Sequence, residues 1–232
     1  VAENAQRIRH GVTDLEFGDD FQFWPSAEET QSAQYLMWFY KREVDRYGVD
    51  NVALLTPFRK KSKTGVYSLN AALHDTINPA SPEKDEIETG QRILRVGDKV
   101  MQMKNRDFAS NGDIGYICTS KRDSDGILVE VDFGDGRVVA YEDAESLRQV
   151  ELAYAATIHK SQGSEYDVVL INIQNMHGKM LNRALIYTAE TRAKKQVIIV
   201  GDWEAVVRAI QTADTKRRNT MLAVRINDLT KE

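Results

Sequence analysis

The sequence has 232 residues, of which 42% are hydrophobic, and its 31 Lys and Arg against 35 Asp and Glu give a formal net charge of -4. This composition is sufficient for a packed core and excludes a disordered chain, and the single cysteine, Cys118, excludes an internal disulfide and a cysteine-based zinc cluster. No apolar run approaches the ~20 residues that span a bilayer, so we expect no membrane partner and a cytoplasmic protein. The first residue is not Met, and we expect a longer parent chain.

The first part of the chain predicts alternating strands and helices. The predicted elements are a strand at 21–24, a helix from about 26 to 47, a strand at 52–55 and a helix from about 65 to 78. Ser26 and Glu29 have the spacing of a capping box at the start of the first helix. The continuous apolar run at 52–55 is typical of a strand buried on both faces of a parallel sheet.

The segment from 92 to 150 has a different pattern. Short strands are predicted at 97–103, 114–118, 127–131 and 138–141. Glycine-containing turns separate them, which is typical of antiparallel hairpins. Several short strands in about sixty residues predict a small closed barrel, and its place within an alternating pattern predicts an insertion.

Alternation resumes after the insertion. The predicted elements are a strand at 152–158, a strand at 168–171, a helix from 181 to 195, a strand at 197–200 and a helix from 203 to 211. Buried strands that alternate with helices predict a doubly wound α/β sheet, which binds its ligands beyond the carboxyl ends of its strands.

Charge is unevenly distributed along this pattern. Residues 1–90 carry 10 basic and 15 acidic side chains, residues 91–150 carry 9 and 11, and residues 151–232 carry 12 and 9. The net charges are therefore -5, -2 and +3. A local basic surface in the last part is compatible with a polyanionic partner, so the overall charge does not exclude nucleic acid.

Residues 157–167 have a composition suited to phosphate contacts. His159 and Lys160 supply positive charge, neighbouring hydroxyl groups supply donors, and Gly163 allows backbone N–H groups to approach an anion. The alternative is a polar strand-to-helix turn in which Gly163 only supplies an unusual backbone angle. The residues alone leave both interpretations open.

A second candidate segment is 187–195. Thr188 and Arg192 are four residues apart, so they share one face of the predicted helix, and a guanidinium held there suits bidentate contact with a phosphoryl group. Basic residues near a helix end also cap carbonyl groups, and we favour that role for Lys194 and Lys195. For Arg192 both roles stay open.

The sequence also lacks the usual complete phosphate site. It contains no Gly-x-x-x-x-Gly-Lys-Ser/Thr loop, and no hydrophobic strand ends in an acidic pair that would hold Mg²⁺. If phosphates bind this chain, we expect it to supply only part of the site.

Four segments resemble, in the correct order, the motifs of one helicase family. Residues 156–167 look like motif V, and residues 187–193 like motif VI, of superfamily 1 DNA helicases of the RecD/TraA type, which include the exodeoxyribonuclease V alpha subunit. Residues 95–115 resemble the opening of the barrel inserted in that family's second RecA-like domain, and residues 54–70 resemble its motif IV region. The resemblance extends from about Asn4 to Arg225.

This resemblance implies a fold and an activity. The fold is α/β, a RecA-like parallel sheet of the P-loop NTPase type over 1–91 and 151–232, with an SH3-like β-barrel inserted at 92–150. The chain looks like the C-terminal motor domain of an ATP-dependent 5′-3′ DNA helicase. ATP with Mg²⁺ would bind between it and an N-terminal RecA-like domain of the same parent, which supplies the phosphate loop and the Mg²⁺ ligands. We expect no metal ligands here and no ATP hydrolysis by this chain alone.

The resemblance also implies residue roles. Arg192 would be the catalytic arginine finger. The residues implied at the ATP are Arg59, Gln162, Gly163, Glu165 and Arg192, with Lys60 and Lys61 competing with Arg59 in alignment. The residues implied at single-stranded DNA are Thr157, His159, Lys160, Ser161, Lys104 and Arg106, where Ser161 could face either ligand. Glu190 departs from the small apolar residue usual in the family, and we expect a more polar helix edge there.

Two alternatives remain from the sequence. The missing phosphate loop is also compatible with a non-catalytic module that binds nucleic acid or a partner subunit, including another subunit of a recombination nuclease complex. A third interpretation makes the barrel the functional part and the α/β portion its scaffold.

Overall fold

The computed structural model describes residues 1–60, 62–89, 92–123 and 126–213. Lys61 and the end of the resemblance near Arg225 therefore lie outside the described residues. The helices are α1 (Ala2–Arg9), α2 (Glu29–Tyr47), α3 (Val66–Ile77), α4 (Ala144–Leu147), α5 (Arg183–Glu190) and α6 (Trp203–Gln211), with short 3₁₀ turns at Ile158–Ser161 and Asn175–Met180. The strands are β1 (Phe21–Pro25), β2 (Val52–Thr56), β3 (Glu86–Thr89), β4 (Arg92–Arg95), β5 (Lys99–Gln102), β6 (Ile114–Asp123), β7 (Gly126–Asp132), β8 (Val138–Tyr141), β9 (Val150–Leu152), β10 (Ala155–Thr157), β11 (Tyr166–Ile173) and β12 (Ala193–Gly201).

The main sheet has five strands in the order β10-β2-β11-β12-β1, and all four neighbouring pairs are parallel. Every residue of β2 is buried, as are the last six residues of β11 and of β12. Strands covered on both faces have no polar alternation, and this explains why their continuous apolar runs predicted them correctly.

Helices cover both faces of this sheet. Leu54 and Leu170 point into a core shared with α2 and α3, whereas their neighbours Leu55 and Ile171 point into a core shared with α1, α5 and α6. Successive side chains of a strand point to opposite faces, so one apolar run builds both cores. The predicted doubly wound α/β architecture is confirmed.

The insertion between α3 and β10 is mainly antiparallel. Its five-stranded sheet has the order β8-β7-β6-β5-β9. Four of these strands were predicted, and β9 and the hairpin β3–β4 were not. Ile87 and Leu94 of the hairpin are buried in the same core as Val100 and Ile117. Because the paired strands end at β8 and β9, closure into a barrel stays a prediction.

The predicted single strand at 152–158 is wrong. The structure divides it between two sheets, since Leu152 pairs with Val100 of β5 while Ala155 pairs with Leu54 of β2. Tyr154 lies buried at the change of sheet, and Ile158 already belongs to a 3₁₀ turn. Apolar periodicity indicates a strand but does not say which sheet it joins.

The predicted helix from 181 to 195 is also too long. Helix α5 ends at Glu190, and the Thr191 hydroxyl donates a 2.8 Å hydrogen bond to the Tyr187 carbonyl oxygen. Strand β12 begins at Ala193. Lys194 and Lys195 therefore lie on a strand, and the role assigned to them at a helix end is wrong.

The capping box predicted at Ser26 does not form. Helix α2 begins at Glu29, and the Ser26 hydroxyl donates a 3.2 Å hydrogen bond to the Glu28 carbonyl oxygen. The Glu29 carboxylate instead accepts hydrogen bonds from the Ser62 hydroxyl and from the backbone N–H of Thr64 at 3.4 Å. Glu29 thus ties α2 to the loop after β2, a tertiary contact that local spacing could not reveal.

A buried polar cluster fixes the insertion to the main sheet. The Asp98 carboxylate is fully buried and accepts hydrogen bonds from Asn78 Nδ2 at 2.7 Å, the Arg95 backbone N–H at 2.7 Å and the Tyr154 hydroxyl at 3.0 Å. Because Asn78 directly follows α3 and Tyr154 packs in the core of the α/β part, these bonds form a joint between the two parts. Within the described residues, no helix is both long and apolar enough to cross a membrane.

Candidate functional site

The connection between β10 and β11 links the two ends of the main sheet. Thr157, the last residue of β10, is aligned with Thr56 of β2, whereas Tyr166 begins β11 at the other end of the strands. At ~3.3 Å per residue these two positions are about 20 Å apart along the strand direction. Residues 158–165, here called the crossover, therefore carry side chains from one edge of the sheet to the other.

At the carboxyl edge, the crossover borders a cleft of about 110 Å³ between the main sheet and the insertion. Thr157 and Lys160 enter it from the crossover, and Arg59 enters it from the loop after β2. The cleft is lined by Arg59, Val66, Met101, Met103, Glu151, Leu152, Ala153, Ala155, Ala156, Thr157 and Lys160. The parallel strands explain this meeting, because their carboxyl ends share one edge.

Arg59 is held by a carboxylate and an aromatic ring. Its Nη2 atom lies 2.6 Å from Glu151 Oε1, and its guanidinium lies 5.3 Å from the centre of the Tyr67 ring. The Tyr67 hydroxyl donates to the same Glu151 oxygen at 2.9 Å, and burial together with this hydrogen bond raises the pKa of Tyr67. The Arg59 side chain is still 46% exposed, so other anions can reach it.

A loop of the insertion faces the crossover at the same edge. Lys160 Nζ donates to the Asn111 side-chain oxygen, and the Asn111 backbone N–H donates to Asn105 Oδ1 at 2.7 Å. Lys104 and Arg106 lie exposed on this loop, with the Arg106 guanidinium 4.7 Å from the Tyr141 ring centre. The structure thus places Lys160 on the crossover and Lys104 and Arg106 on the facing loop of the insertion.

Sequence reasoning missed Phe108 on this loop. Its side chain is 75% exposed, and its φ of 66° lies in the left-handed region that few non-glycine residues adopt. Arg137 steadies the loop, since its Nη1 atom contacts Asp113 Oδ2 at 2.8 Å and the Phe108 carbonyl oxygen at 3.3 Å. An aromatic residue within a run of polar residues was the available signal.

The 3₁₀ turn of the crossover separates its exposed and buried polar residues. His159 is exposed at the surface. Ser161 is buried and its hydroxyl donates a 2.8 Å hydrogen bond to the Ile158 carbonyl oxygen. This hydroxyl closes the turn, so its part in ligand binding, predicted without a choice between ATP and DNA, stays a prediction.

The amino edge of the sheet carries the second group of candidates. Gln162, Gly163 and Glu165 are exposed in the half of the crossover that leads to this edge, and Glu165 Oε2 lies 3.2 Å from Lys194 Nζ. Gly163 has a φ of +90°, and no atom lies within 4 Å of the position that a Cβ would take. Its backbone therefore faces open space, where an anion could approach closely.

Arg192 lies against the end of the crossover. Its Nη1 atom donates to the Ser164 carbonyl oxygen at 3.2 Å, and its Nε atom donates to the Thr188 carbonyl oxygen at 3.2 Å. The Tyr166 backbone N–H donates to the Arg192 carbonyl oxygen at 2.8 Å. Although Arg192 is not on a helix, these contacts place it beside Ser164, the residue between Gly163 and Glu165.

Glu190 is not at a polar helix edge, and that expectation is wrong. The residue, the last of α5, is fully buried, and neither carboxylate oxygen has a hydrogen-bond partner among the described residues. Burial raises its pKa to about 8. A carboxyl group in this position is therefore largely protonated near neutral pH.

The candidates thus form two groups at opposite edges of the sheet. Arg192 lies with Gln162, Gly163 and Glu165, whereas Arg59 lies with Thr157 and Lys160. Arg59 was predicted at the ATP, and its position beside residues predicted at DNA gives that role no geometric support, although the role itself stays a prediction. Within the described ranges, no group of three or more His, Cys, Asp or Glu is arranged to hold a metal ion.

Family models match both parts of the chain. Residues 69–133 match the ATP-dependent RecD-like DNA helicase SH3 domain, and residues 152–200 match the UvrD-like helicase C-terminal domain. The second match contains the crossover and Arg192. The chain is a relative of the RecD-type helicases.

Curated relatives agree with these matches. The chain is 37% identical over 189 residues to the ATP-dependent RecD2 DNA helicase of Deinococcus radiodurans, an alignment that covers 77% of this chain and 24% of that protein. It is 31% identical over 210 residues to the RecBCD enzyme subunit RecD of Haemophilus influenzae, covering 88% of this chain and 29% of that subunit. The chain therefore spans about a quarter of the length of these RecD-type relatives.

A solved structure of Pif1 helicase from Bacteroides, in complex with ADP-AlF3 and ssDNA, is also similar. The alignment covers 99% of this chain and 53% of that chain, with a TM-score of 0.49 and 17% sequence identity. This likeness is too distant to carry an argument about function.

Proposed function

We propose that this chain forms the second motor domain of an ATP-dependent 5′-3′ DNA helicase of the RecD type. The observation that carries the proposal is the crossover, which joins a cationic cleft at the carboxyl edge of the sheet to the Arg192 group at the amino edge. A motor must couple a nucleotide site to a nucleic-acid track, and one eight-residue connection contacts both places.

At the amino edge, Arg192 would act as the arginine finger. Its guanidinium now donates to two neutral carbonyl groups, and charge-assisted bonds to a phosphoryl group would be stronger. The open backbone at Gly163 fits the edge of a nucleotide, with Gln162 and Glu165 beside it. ATP with Mg²⁺ supplies the phosphoryl group, and we expect the phosphate loop and the Mg²⁺ ligands from a companion RecA-like domain of the parent.

At the carboxyl edge, single-stranded DNA would lie between the crossover and the insertion. Thr157, His159 and Lys160 would contact the backbone from one side, and Lys104 and Arg106 from the other. Phe108 would offer its ring for base stacking. Phosphate contacts and stacking are tolerant of sequence, and the phosphate contribution weakens as salt is added.

Coupling would pass through the crossover. Arg192 contacts Ser164 at one end of it, and Lys160 contacts Asn111 of the insertion at the other end. A shift of Arg192 toward a nucleotide would change the constraint on Ser164, and therefore the position of Lys160 on the strand. We also propose the domain division with the bounds predicted from the sequence, an α/β part over 1–91 and 151–232 and an insertion at 92–150, although β3 before it and the end of β9 after it pair with strands of the insertion. We propose as well that the protein is cytoplasmic.

The test combines this chain with a separately prepared N-terminal motor domain of the parent. ATP hydrolysis is measured for each part and for the mixture, with and without oligothymidylate. We expect no hydrolysis by this chain alone and DNA-stimulated hydrolysis by the mixture. A mixture that hydrolyses no faster than the N-terminal domain alone would contradict the proposed motor role.

One observation favours a second candidate, a non-catalytic module that binds nucleic acid or a partner subunit. The Arg192 guanidinium is engaged by three oxygen atoms, the carbonyl oxygens of Ser164 and Thr188 and the hydroxyl oxygen of Thr191. If this arrangement is permanent, the chain binds single-stranded DNA in the same assay but adds nothing to hydrolysis.

A further inference from the structure

We propose that Glu151 is an internal competitor for nucleic-acid phosphate, which holds Arg59 until a phosphate group displaces it. The proposal rests on the proposed nucleic-acid track at the carboxyl edge, and it assigns Arg59 to that track. It adds a regulatory acid that sets how tightly the strand is held.

The acid and the base come from different parts of the fold. Glu151 lies on β9 of the insertion, where it pairs with Met101, whereas Arg59 follows β2 of the main sheet. The Glu151 side chain is only 16% exposed, against 46% for Arg59. The carboxylate is therefore the fixed partner, and the guanidinium is the partner that can turn toward solvent.

Tyr67 holds both groups in place. Its hydroxyl donates to Glu151 Oε1, the same oxygen that contacts Arg59, and its ring lies beneath the guanidinium. Lys60 Nζ also lies 5.1 Å from the centre of this ring. The ring attracts cations through its face, so Arg59 can leave the carboxylate without leaving the site.

Glu151 carries a negative charge in a cleft that is proposed to bind a polyanion. Among the described residues that line the cleft, it is the sole acid, while Arg59 and Lys160 are cationic and the others are apolar or neutral. A carboxylate there repels phosphate and neutralises the arginine that would bind it. Its partners, Arg59 and the Tyr67 hydroxyl, both belong to the α/β part, so the acid is positioned to hold this arginine in the absence of a phosphate group.

Exchange of one anion for another is energetically accessible. Ion pairs as exposed as that of Arg59 change an equilibrium by less than about fivefold. A phosphate can accept two parallel guanidinium hydrogen bonds, which Glu151 Oε1 alone does not provide. A strand held by such an exchange is released more readily, as stepping along DNA requires.

The experiment measures the binding of fluorescein-labelled oligothymidylate to the whole chain by anisotropy, across a series of sodium chloride concentrations. Glu151→Gln keeps the shape and removes the charge. We expect this variant to bind the oligothymidylate about three- to fivefold more tightly than the unsubstituted chain. The matched control is Glu145→Gln, at an exposed glutamate of α4 that forms no ion pair among the described residues.

Salt dependence provides a readout that a structural role would not move. Glu151→Gln keeps every phosphate contact of the strand, so it should raise the affinity and leave the logarithmic salt slope unchanged. Arg59→Ala removes one phosphate contact and should make that slope shallower by about 0.7.

A double-mutant cycle completes the test. In an Arg59→Ala background, Glu151→Gln should give a much smaller gain in affinity, because there is no guanidinium to release and only the direct repulsion of phosphate by the carboxylate is removed. An equal gain in both backgrounds, an unchanged affinity, or a weaker affinity with a lower melting temperature would each overturn the proposal. If the unsubstituted 232-residue chain binds no oligothymidylate at all, the proposed nucleic-acid track is wrong, and this inference is wrong with it.

Discussion

The Nε2 atom of His74 lies 2.9 Å from Oδ2 of Asp98, and this contact joins α3 to the start of the insertion. Both side chains are buried, and Asp98 accepts further hydrogen bonds from Asn78, Arg95 and Tyr154. Because the loop with Lys104 and Phe108 belongs to the insertion, this joint determines where that loop lies relative to the crossover.

Replacing Asp98 should lower the stability of the whole chain. Asp98→Ala leaves several buried donors without a partner, and we expect the free energy of unfolding to fall by about 3 kcal/mol or more. Urea denaturation followed by circular dichroism measures this loss. Asp85→Ala, at an exposed aspartate, should change stability by less than about 0.5 kcal/mol. Equal midpoints for the two variants would show that the cluster does not stabilise the joint.

Glu190 should make stability depend on pH. Its pKa rises from an ordinary value of 4.5 to about 8 in the folded chain, so between these pH values the unfolded chain has lost a proton that the folded chain retains. The unfolded state binds fewer protons there, and stability therefore falls as pH rises through this window.

Glu190→Gln should remove that dependence. Above about pH 8 the free energy of unfolding of the variant should exceed that of the unsubstituted chain by at most about 3 to 5 kcal/mol. Below about pH 4.5 the two free energies should be similar. Denaturation curves at several pH values give the profile, and Glu204→Gln on α6 supplies an exposed control. If the stability of Glu190→Gln depends on pH in the same way as that of the unsubstituted chain, the buried carboxyl group is charged in the folded state.

Lys160 should contribute one phosphate contact. Lys160→Ala should weaken oligothymidylate binding by this chain and make the logarithmic salt slope shallower by about 0.7, since one fewer cation is released. Lys121→Ala, at an exposed lysine of β6, is the matched change in charge. An identical slope for these two variants would remove Lys160 from the track.

Phe108 should contribute through stacking and not through charge. Phe108→Ala should reduce the free energy of binding to oligothymidylate by about 1 to 3 kcal/mol while leaving the salt slope unchanged. Phe17 is also exposed but lies beside Phe21 of β1 and Trp203, at the end of the strand order opposite to β10, so Phe17→Ala is the control. Undiminished affinity in Phe108→Ala would leave the exposed ring without a role in binding.

Much of the fold could be predicted from the sequence because the central strands are buried on both faces. The apolar runs at β2, β11 and β12 have no polar alternation, and α6 has a regular apolar face. The three strands and the helix were therefore predicted within a few residues. The end of α5 was not predictable, because residues 191–195 are compatible with a helix until pairing with β11 draws Ala193 into a strand.

The candidate site was predictable in composition and not in arrangement. The sequence singled out Arg192 and the crossover, and folding brings them together. It could not reveal that Glu151, on a strand of the insertion, would contact Arg59 across 92 residues. Nor could it reveal that Glu190 would be buried, since its neighbours in sequence are a mixture of apolar and polar residues. The roles of the site residues stay predictions.

The central claim is that Arg192 completes a nucleotide site with a companion motor domain. The most direct measurement is steady-state ATP hydrolysis by the parent protein with both motor domains, comparing Arg192→Ala with the exposed control Arg208→Ala. We predict that Arg192→Ala retains ATP binding and loses about 10³-fold or more in kcat, as expected for an arginine finger, while Arg208→Ala keeps the parent rate. An unchanged kcat in Arg192→Ala would contradict the account.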